Sequence, residues 1–548
     1  MTHKLIQIVS FLLLSNLQLF AQTSITDYEG QWEGVLKNNK VFNFNISLKK
    51  LENNTFDFSI SNNNFIIQKK LNSLSKDHIQ LEVYESLTFK GVLEEDKSQI
   101  NGFISSGVYL YHIKLEKSTN NTYQGKWDIF LLDELLSNDI FLSIENINNG
   151  KFDAYPFFGD KRFAGTWCMN SQKKNNVISF QDFRTGLQFK GKLLKNKIDL
   201  NIILANTVIT SVSFKKSEKE WKFGKYLTTP KKITNTINLT RLEDSIISKK
   251  LPNIHSILIY KDEKIVYENY FDGYNANIPH DQRSASKSIT SAITGIAIDN
   301  GLLKDEHQFL YDYIPNQYLK TKDSLKSKIK IKDLLTMSSG LDVTSKASEQ
   351  NYQNSQDWLQ TILSTSSIQS PGVIAQYGSA NPYLLGIALQ KVSPTPIQLF
   401  MDQNLFKPLK ISNYAIQKDL AGNPYFAGGM YLTPISMLKL GKLYLQNGRW
   451  EGKQIISKKW IQKSIKNHYQ LSNVKDKNSY GFLWWHNTYL SNQQKIKTIE
   501  ARGNGGQYIF IIPELKSVCI ITAGNYNNIK TQLPEYILQN FILHKLMH

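Results

Sequence analysis

Two residues in the second half of the chain have the types and the spacing that nucleophilic acyl transfer needs. Ser284 and Lys287 stand three positions apart, so on one turn of a helix their side chains lie on the same face. A serine hydroxyl is a poor nucleophile until a base takes its proton. A lysine that a closed site removes from water has a lowered pKa and can be that base. Taken alone, the spacing also fits a helix-capping serine followed by an exposed lysine.

A tyrosine and a serine further along the chain could complete this chemistry. Tyr377 and Ser379 precede Asn381 and Pro382, which as N-cap and first helical residue predict a helix over residues 383–391. Tyr377 would then lie on a loop tip, where its hydroxyl can reach a cleft and relay protons beside a lysine ammonium. The alternative is a half-buried packing residue, as most of the 27 tyrosines must be.

A glycine-rich segment provides the third element. Residues 502–506 include Gly503, Gly505 and Gly506 and precede a strand predicted over residues 508–512. Glycines at the start of a strand allow close backbone approach to a ligand, and they leave backbone N–H groups able to face an oxyanion. The alternative is a flexible entry into a hairpin.

The elements that must position these residues follow from hydrophobic periodicity. An amphipathic helix is predicted after Lys287, with Gly301 as its stop signal. Its apolar face comprises Ile289, Ala292, Ile293, Ile296 and Ala297. Upstream, the pattern predicts a helix over residues 239–249 and strands over residues 256–260 and 265–270. The chain from residue 236 onward is therefore predicted to be α/β or α+β.

In their order along the chain, these three elements resemble those of the serine β-lactamase and penicillin-binding-protein superfamily. More narrowly, they resemble the class C-like branch, which includes esterases, D-aminopeptidases and nylon-oligomer hydrolases. Residues 330–341, 428–434 and 480–485 are similar to further segments of this family. The resemblance covers about residues 236–548, and it implies a β-lactamase-like α/β domain with an antiparallel sheet flanked by helices.

The resemblance also implies a role for each matching residue. Ser284 is the acylated nucleophile, and Lys287 and Tyr377 form the proton-transfer pair. The backbone N–H groups of Ser284 and Gly506 form the oxyanion hole. No metal and no organic cofactor is implied.

The substrate pocket is expected near these motifs. Its predicted residues are Ser379, Asn504, Gly505, Trp484 and Trp485. The two tryptophans would line an apolar acyl or leaving-group pocket, with a place in the core as the alternative. Residues 503–505 are Gly-Asn-Gly, where relatives usually have Lys-Thr-Gly or His-Thr-Gly. Because that lysine helps hold a substrate carboxylate in penicillin-binding relatives, its absence weakens the case for β-lactam or cell-wall peptide substrates. Arg502 is adjacent and could replace it.

The N-terminal part of the chain has a different hydrophobic pattern. Short alternating runs separated by Asn, Gly and Lys turns are typical of β-strands. The pattern also repeats after about 100 residues, since residues 87–93 are similar to residues 187–193. We predict two similar antiparallel β-modules, barrels or sandwiches, over residues 22–120 and 121–227. A linker over residues 228–235 would join them to the α/β domain.

Length and composition exclude several classes of protein. With 548 residues, 41% hydrophobic and 20% charged, the chain is globular and long enough for two or three domains. Two cysteines exclude a disulfide scaffold and a cysteine-built zinc site. The net charge of +19 is spread along the chain as lysine, without the arginine-rich stripe of a nucleic-acid-binding protein. We therefore predict no nucleic-acid partner.

Residues 1–21 are predicted to be a signal peptide. Lys4 belongs to a short polar start, an apolar run follows, and Ala21 before Gln22 provides a cleavage point. The alternative is an N-terminal membrane anchor. No later apolar run approaches the roughly 18 residues of a spanning helix, so no membrane span is predicted after cleavage. The protein is expected to be exported, to the periplasm or beyond.

Together these features predict an exported serine hydrolase that cleaves an ester or amide bond of a small-molecule or peptide substrate. One alternative is a penicillin-binding D,D-peptidase or β-lactamase. Another is a non-catalytic envelope binding or scaffold protein, against which the presence of Ser284, Lys287 and Tyr377 argues. The sequence leaves open the natural substrate, the oligomeric state and the role of the β-modules.

Overall fold

The structure of the protein is a computed structural model. It describes residues 24–119, 121–148, 151–163, 167–218, 221, 236–474 and 479–547. The predicted signal peptide and the predicted linker over residues 228–235 lie outside the described residues. Contacts divide the described chain into two compact units, the first within residues 1–41 and 135–224 and the second within residues 42–134 and 225–548.

The N-terminal region is all-β, as predicted. Its strands are β1 (Gly30–Val35), β2 (Asn43–Lys50), β3 (Thr55–Asn62), β4 (Phe65–Asn72), β5 (Ile79–Tyr84), β6 (Leu87–Leu93), β7 (Gln99–Ser106), β8 (Tyr109–Thr119), β9 (Thr122–Asp128), β10 (Asp139–Asn148), β11 (Lys151–Phe158), β12 (Cys168–Lys174), β13 (Val177–Asp182), β14 (Gln188–Leu194), β15 (Lys197–Leu204) and β16 (Thr207–Lys216). Alternation sets their faces: in β3, Phe56, Phe58 and Ile60 are buried while Asp57 and Ser59 are partly exposed.

The strands form two antiparallel meanders of the same topology. In the first unit the order is β11-β10-β1-β16-β15-β14-β13-β12, and β11 also contacts β12. In the second unit the order is β4-β3-β2-β9-β8-β7-β6-β5, and β4 also contacts β5. The two similar sequences lie in β6 and β14. These strands are seventh and sixth in the two orders, so the sheets share a topology but the similar sequences do not fall on equivalent strands.

The grouping of strands differs from the module boundary expected near residue 120. The first unit takes its strand β1 from the start of the described chain, and β1 pairs with both β10 and β16. In the second unit the matching strand is β2, which pairs with β3 and β9. The units therefore divide at residues 41/42 and 134/135. Consecutive segments of the sequence do not reveal this division, because β1 pairs with strands that lie more than 100 residues further along the chain.

The region from residue 236 has the β-lactamase-like architecture that the sequence predicts, a sheet with helices. Its strands are β17 (Ile254–Lys261), β18 (Lys264–Tyr270), β19 (His280–Asp281), β20 (Tyr414–Gln417), β21 (Met430–Leu432), β22 (Arg449–Trp450), β23 (Lys453–Gln454), β24 (Tyr469–Gln470), β25 (Ser479–Tyr480), β26 (Trp485–Ser491), β27 (Gln494–Gly503), β28 (Gln507–Ile512) and β29 (Ser517–Ala523). Its α-helices are Thr240–Ile247, Lys287–Asp299, Ile331–Leu335, Glu349–Gln353, Trp358–Leu363, Ala380–Val392, Ile397–Met401, Pro434–Leu445, Lys458–Ser464, Leu533–Ile537 and Leu543–Leu546.

The main sheet of this region separates two hydrophobic cores. Its order is β18-β17-β29-β28-β27-β26-β25-β24, all antiparallel. Along β28, Ile509 and Ile511 join one core, while Tyr508 and Phe510 join the other. Because both faces are covered, residues 508–512 of this strand are apolar or aromatic and do not alternate with polar residues. Helix Lys287–Asp299 packs in the first core, which fixes the helix at whose start the candidate nucleophile lies.

One predicted helix starts earlier than expected. Helix Ala380–Val392 begins after Ser379, which takes the N-cap position predicted for Asn381. Asn381 is fully buried and its side-chain amide contacts the Met337 sulfur at 3.7 Å. Its side chain therefore packs in the core and does not cap the helix.

The 42–134 module of the second unit is joined to the α/β region by strand pairing. β8 pairs antiparallel with β20, with Tyr111 opposite Ala415. β20 pairs with β21, and β21 pairs with β19. The pairing covers an edge that β20 would otherwise expose. Since β19 ends two residues before Arg283, the module is connected through this sheet to the segment that carries Ser284.

No helix in the described part of the chain combines the length and the apolar character that crossing a membrane requires.

Candidate active site

Ser284 and Lys287 meet as their spacing predicts. Ser284 lies in the 3-10 helix Arg283–Ser286, which leads directly into helix Lys287–Asp299. The Lys287 Nζ lies 2.9 Å from the Ser284 Oγ. Ser284 is partly exposed, whereas Lys287 is 1% exposed. A hydroxyl that substrate can reach is thus backed by an amine that bulk water does not reach.

The amine of Lys287 has three hydrogen-bonding neighbours. Besides the Ser284 Oγ, these are the Ser379 Oγ at 3.0 Å and the Ala427 carbonyl oxygen at 2.5 Å. Burial lowers the pKa of Lys287 to about 8, while the charge of Glu349 acts in the opposite direction. A neutral amine can donate to Ser379 and Ala427 and still accept the proton of Ser284. The geometry therefore suits Lys287 to act as a base near neutral pH.

Tyr377 completes the predicted trio. Its ring centroid lies 5.3 Å from the Lys287 Nζ. Burial raises the pKa of Tyr377, with a hydrogen bond from Ser284 acting against the rise. Its backbone is held by Asn473, whose side-chain oxygen accepts from the Tyr377 N–H at 2.7 Å and whose amide donates to the Tyr377 carbonyl at 3.0 Å. The loop that carries Tyr377 is therefore fixed by a residue that no sequence motif indicated.

A carboxylate that the sequence did not reveal lies behind the lysine. Glu349 accepts hydrogen bonds from the Ser379 hydroxyl and the Tyr425 hydroxyl, each at 2.7 Å. It is the first residue of the short helix Glu349–Gln353. Nothing but a helix start marks it in the sequence. Ser379 connects Lys287 to this carboxylate, and its contact with substrate stays a prediction.

Replacing this carboxylate tests its electrostatic role. Because the Glu349 charge raises the pKa of Lys287, Glu349→Gln should move the acid limb of the kcat/KM profile toward lower pH, by roughly one unit. The measurement is ester turnover across pH 6 to 10, with exposed Glu514→Gln as the control. A midpoint that stays in place in Glu349→Gln would contradict the coupling.

The glycine-rich segment lies directly against the chain before the nucleophile. A Cβ on Gly503 would fall 2.1 Å from the Gln282 carbonyl oxygen, so a side chain there has no room. The Gly506 N–H donates to the Gly503 carbonyl at 3.1 Å. The Ser284 N–H is the second amide of its 3-10 helix and so lacks a partner within the helix. Of the two predicted oxyanion donors, Ser284 thus has an amide available, while Gly506 would have to turn from Gly503. The oxyanion hole stays a prediction.

Asn504 and Gly505 help to hold this turn. Asn504 is exposed and exchanges two hydrogen bonds with Asn527, its amide donating at 2.6 Å and its oxygen accepting from the Asn527 N–H at 2.9 Å. The Gly505 N–H donates to the Thr531 hydroxyl at 2.8 Å. Both residues therefore have contacts within the protein, and their role in substrate binding stays a prediction.

Trp484 and Trp485 lie in different environments. The Trp485 ring lies 5.0 Å from the Tyr377 ring and is partly exposed, so it can form a wall of the site. Trp484 is 1% exposed and packs 4.5 Å from the Tyr444 ring within the core. The expected place of Trp484 in the pocket is corrected accordingly. Successive residues of an extended chain point to opposite sides, which explains why only one of the pair faces the site.

Arg502 has two carboxylates as neighbours. Its Nε donates to Glu500 at 2.6 Å, and its Nη1 lies 3.4 Å from Glu535. Its guanidinium carbon also lies 5.1 Å from the centre of the Trp485 ring. The charge that could have replaced the missing lysine is therefore already compensated within the protein.

A chain of hydrogen bonds connects the 42–134 module to the residue before the nucleophile. The Tyr109 and Tyr431 hydroxyls are 2.9 Å apart, and the Tyr431 hydroxyl donates to Asp281 at 3.3 Å. Asp281 accepts from the Arg283 N–H at 3.1 Å and pairs with the Arg283 Nε at 2.9 Å. Arg283 has a φ of +47°, which costs a residue with a side chain free energy. The carboxylate thus supports a strained residue next to Ser284.

Removing one hydroxyl tests this chain. Tyr109→Phe should lower kcat roughly two- to tenfold, the worth of one hydrogen bond, with little change in KM. Tyr123→Phe is the matched control, because the Tyr123 hydroxyl donates to Lys97 inside the same module. An equal loss in both variants would point to a general loss of module stability instead.

One family model and several known proteins match part of this chain. The family model described as Beta-lactamase matches residues 255–534. The 6-aminohexanoate-dimer hydrolase of Paenarthrobacter ureafaciens is 22% identical over 285 residues, and the match covers 48% of this chain and 71% of that protein. A family VIII carboxylesterase structure is 13% identical with a TM-score of 0.45, covering 56% of this chain and 98% of its own. A penicillin-binding protein of Bacillus halodurans is 15% identical with a TM-score of 0.41, covering 53% and 97%.

Proposed function

Because this chain belongs to the beta-lactamase family, whose model spans residues 255–534, we propose that it is a serine hydrolase that cleaves an ester or amide bond through an acyl-enzyme on Ser284. The observation that carries the proposal is the 2.9 Å contact between the Lys287 Nζ and the Ser284 Oγ. Lys287 is removed from water at that contact, so the base and the nucleophile are already aligned.

Acylation begins with proton transfer. The neutral amine of Lys287 takes the hydroxyl proton of Ser284 while the Oγ attacks the carbonyl carbon of the substrate. The carbonyl oxygen becomes an oxyanion, which the Ser284 N–H and a second donor would stabilise. The bond to the leaving alcohol or amine then breaks, and that group leaves with one proton. Water repeats the sequence on the acyl-enzyme, which releases the acid and restores Ser284.

The pKa shifts indicate different roles for Lys287 and Tyr377 in proton transfer. Burial lowers the pKa of Lys287 to about 8, so the amine can be neutral near physiological pH. Burial raises the pKa of Tyr377, so the phenol keeps its proton there. Lys287 is therefore the base, and Tyr377 is a neutral hydroxyl that can pass a proton to the leaving group and regain one from the lysine.

The walls of the site favour an uncharged acyl group. Trp485 offers an apolar face beside Tyr377, and the Arg502 charge is compensated by Glu500 and Glu535. A substrate carboxylate would have to compete with Glu500 and Glu535 for the Arg502 guanidinium. We therefore prefer neutral esters and amides to β-lactams and cell-wall peptides.

Covalent labelling tests the proposal. The purified protein should turn over a short-chain p-nitrophenyl ester, and a fluorophosphonate probe should form one adduct on the peptide that contains Ser284. Pre-incubation with the ester substrate should slow the labelling. An adduct at another residue would overturn the assignment of the nucleophile. A lasting adduct with a fluorescent penicillin would favour the penicillin-binding alternative instead.

We also propose that the protein is exported, because residues 1–21 have the pattern of a signal peptide. Amino-terminal sequencing of the protein recovered from its host is the test. A mature chain that starts at Gln22 is expected, and a chain that retains residues 1–21 would contradict the proposal.

A further inference from the structure

A cavity of about 220 Å³ lies between the 42–134 module and the α/β region of the second unit. It is lined from the module by Leu74, Gln80, Leu81, Glu82, Thr88, Lys90, Phe103, Ser105 and Leu110, and from the α/β region by Gln398, Lys418 and Gly422. None of these residues belongs to the candidate active site. The cavity is below the roughly 300 Å³ of a site for a drug-sized molecule, so its occupant would be small.

Several polar groups around this cavity have unused hydrogen-bonding capacity. Within the ranges that the structure describes, the side chains of Thr88, Ser105 and Gln398 make no hydrogen bond to protein. Ser105 is 8% exposed and Gln398 is 4% exposed. Polar side chains without a protein partner are satisfied by water or by a ligand. Three of them at one cavity therefore make it a candidate site for a polar ligand.

The charged residues around the cavity determine which charge a bound species would carry. Lys90 and Lys418 both line it, and neither ammonium has an ion-pair partner among the described residues. Burial lowers the pKa of each. For Lys418 the charge of Asp419 acts against burial, and the charge of Lys90 adds a smaller lowering effect. Two like charges are thus held close together in partial burial. Glu82 is the lining carboxylate, and it is exposed.

We propose that this cavity binds a small organic anion, a carboxylate or a phosphate ester. Its anionic group lies between Lys90 and Lys418, and its oxygens accept hydrogen bonds from Ser105 and Gln398. The anion neutralises two charges that otherwise repel each other and accepts hydrogen bonds from two side chains that make none within the described protein. The apolar side chains of Leu81 and Phe103 leave room for a short carbon skeleton.

A ligand at this place would bridge the module and the α/β region. Lys90 lies on β6, while Lys418 follows β20, and the Lys418 N–H donates to the Val108 carbonyl at 2.8 Å. The loop after Lys418 leads to Tyr425. The Tyr425 N–H donates to the Gln417 carbonyl at 2.6 Å, and the Tyr425 hydroxyl donates to Glu349. An occupied cavity should therefore stabilise the docking of the module as well as the loop behind Lys287.

Direct binding tests the proposal without any use of hydrolytic activity. The full-length mature protein in chloride buffer is titrated by calorimetry with glutarate and with glycerol 3-phosphate, and with glycerol as the uncharged comparison. Saturable one-to-one binding of at least one anion is expected, together with a rise in Tm. Whichever probe binds more tightly identifies the carboxylate or the phosphate as the preferred head group.

Substitutions at the lining residues test whether the anion binds in this cavity. Lys90→Met and Lys418→Met should each weaken binding roughly tenfold or more, since each removes a charge-assisted hydrogen bond. Ser105→Ala is a milder second probe that should weaken binding severalfold. Lys453→Met, an exposed lysine on β23, should leave the Kd unchanged. The proposal is overturned if neither anion binds at millimolar concentration, or if folded Lys418→Met and Ser105→Ala bind as the wild type does.

Discussion

Replacing Ser284 with alanine is expected to lower the turnover of a short-chain p-nitrophenyl ester by at least about 10⁴-fold. The Ser284 Oγ is the hydroxyl that both faces the accessible side of the site and lies 2.9 Å from the buried Lys287 amine. Without it the enzyme cannot form an acyl intermediate, and the remaining site offers only binding and hydrogen-bond donors. The measurement is single-substrate kinetics on protein freed of contaminating esterases by a second purification step.

The control for this experiment is another serine of the same region. Ser324 is exposed and lies away from Lys287 in sequence, so Ser324→Ala should keep wild-type kinetics. Both variants should keep the wild-type Tm within a few degrees, because Ser284 is only partly buried. Residual activity in Ser284→Ala close to that of the wild type would remove Ser284 as the nucleophile for esters.

The second large effect is expected at Lys287. Lys287→Met should lower kcat/KM roughly 10³-fold or more, the range of an essential general base. In the wild type the amine must lose its proton before it can act, so activity should rise with pH. The midpoint of that rise should lie near the pKa of about 8 that burial gives Lys287. Initial rates from pH 6 to 10 at low substrate concentration report this midpoint for the free enzyme.

Two variants make this test specific. Tyr377→Phe should lower kcat but leave the acid-limb midpoint near that of the wild type, because the raised pKa of Tyr377 keeps its proton in place across this range. Exposed Lys304→Met should change neither the rate nor the midpoint. If the midpoint moved in Tyr377→Phe and the rate survived in Lys287→Met, the roles of the two residues would be reversed.

The 42–134 module belongs to the same compact unit as the candidate active site. β8 pairs with β20, and Tyr109 connects through Tyr431 to Asp281. This arrangement favours a part in positioning the site over a role as an independent appendage. Activity and binding experiments therefore need the whole chain, because removal of the module would expose the edge of β20.

The fold class and the local elements could be predicted because they depend on short-range patterns. The strands of the N-terminal region alternate with a period of two, and the helix after Lys287 has a continuous apolar face. The strand that completes the first sheet could not be predicted, because β1 is separated along the chain from its partners β10 and β16 by the whole 42–134 module. Pairing between distant strands depends on the closure of the whole sheet.

The sequence by itself determined the contact at the centre of the site. Two residues three positions apart at the start of a helix lie on one face, so the side chains of Ser284 and Lys287 can meet there once the lysine is buried. The positions of Tyr377 and of the glycine-rich segment were predicted from the order of motifs, and the structure brings Tyr377 to the Lys287 amine.

Only the tertiary structure decided how that contact works. The pKa of Lys287 depends on how completely other elements exclude water, and on Glu349, which lies 62 positions further along the chain. Trp484 and Trp485 are neighbours in sequence, yet the packing of Tyr444 buries the first and leaves the second at the site. Burial and charge are properties of the assembled neighbourhood, which the local sequence does not contain.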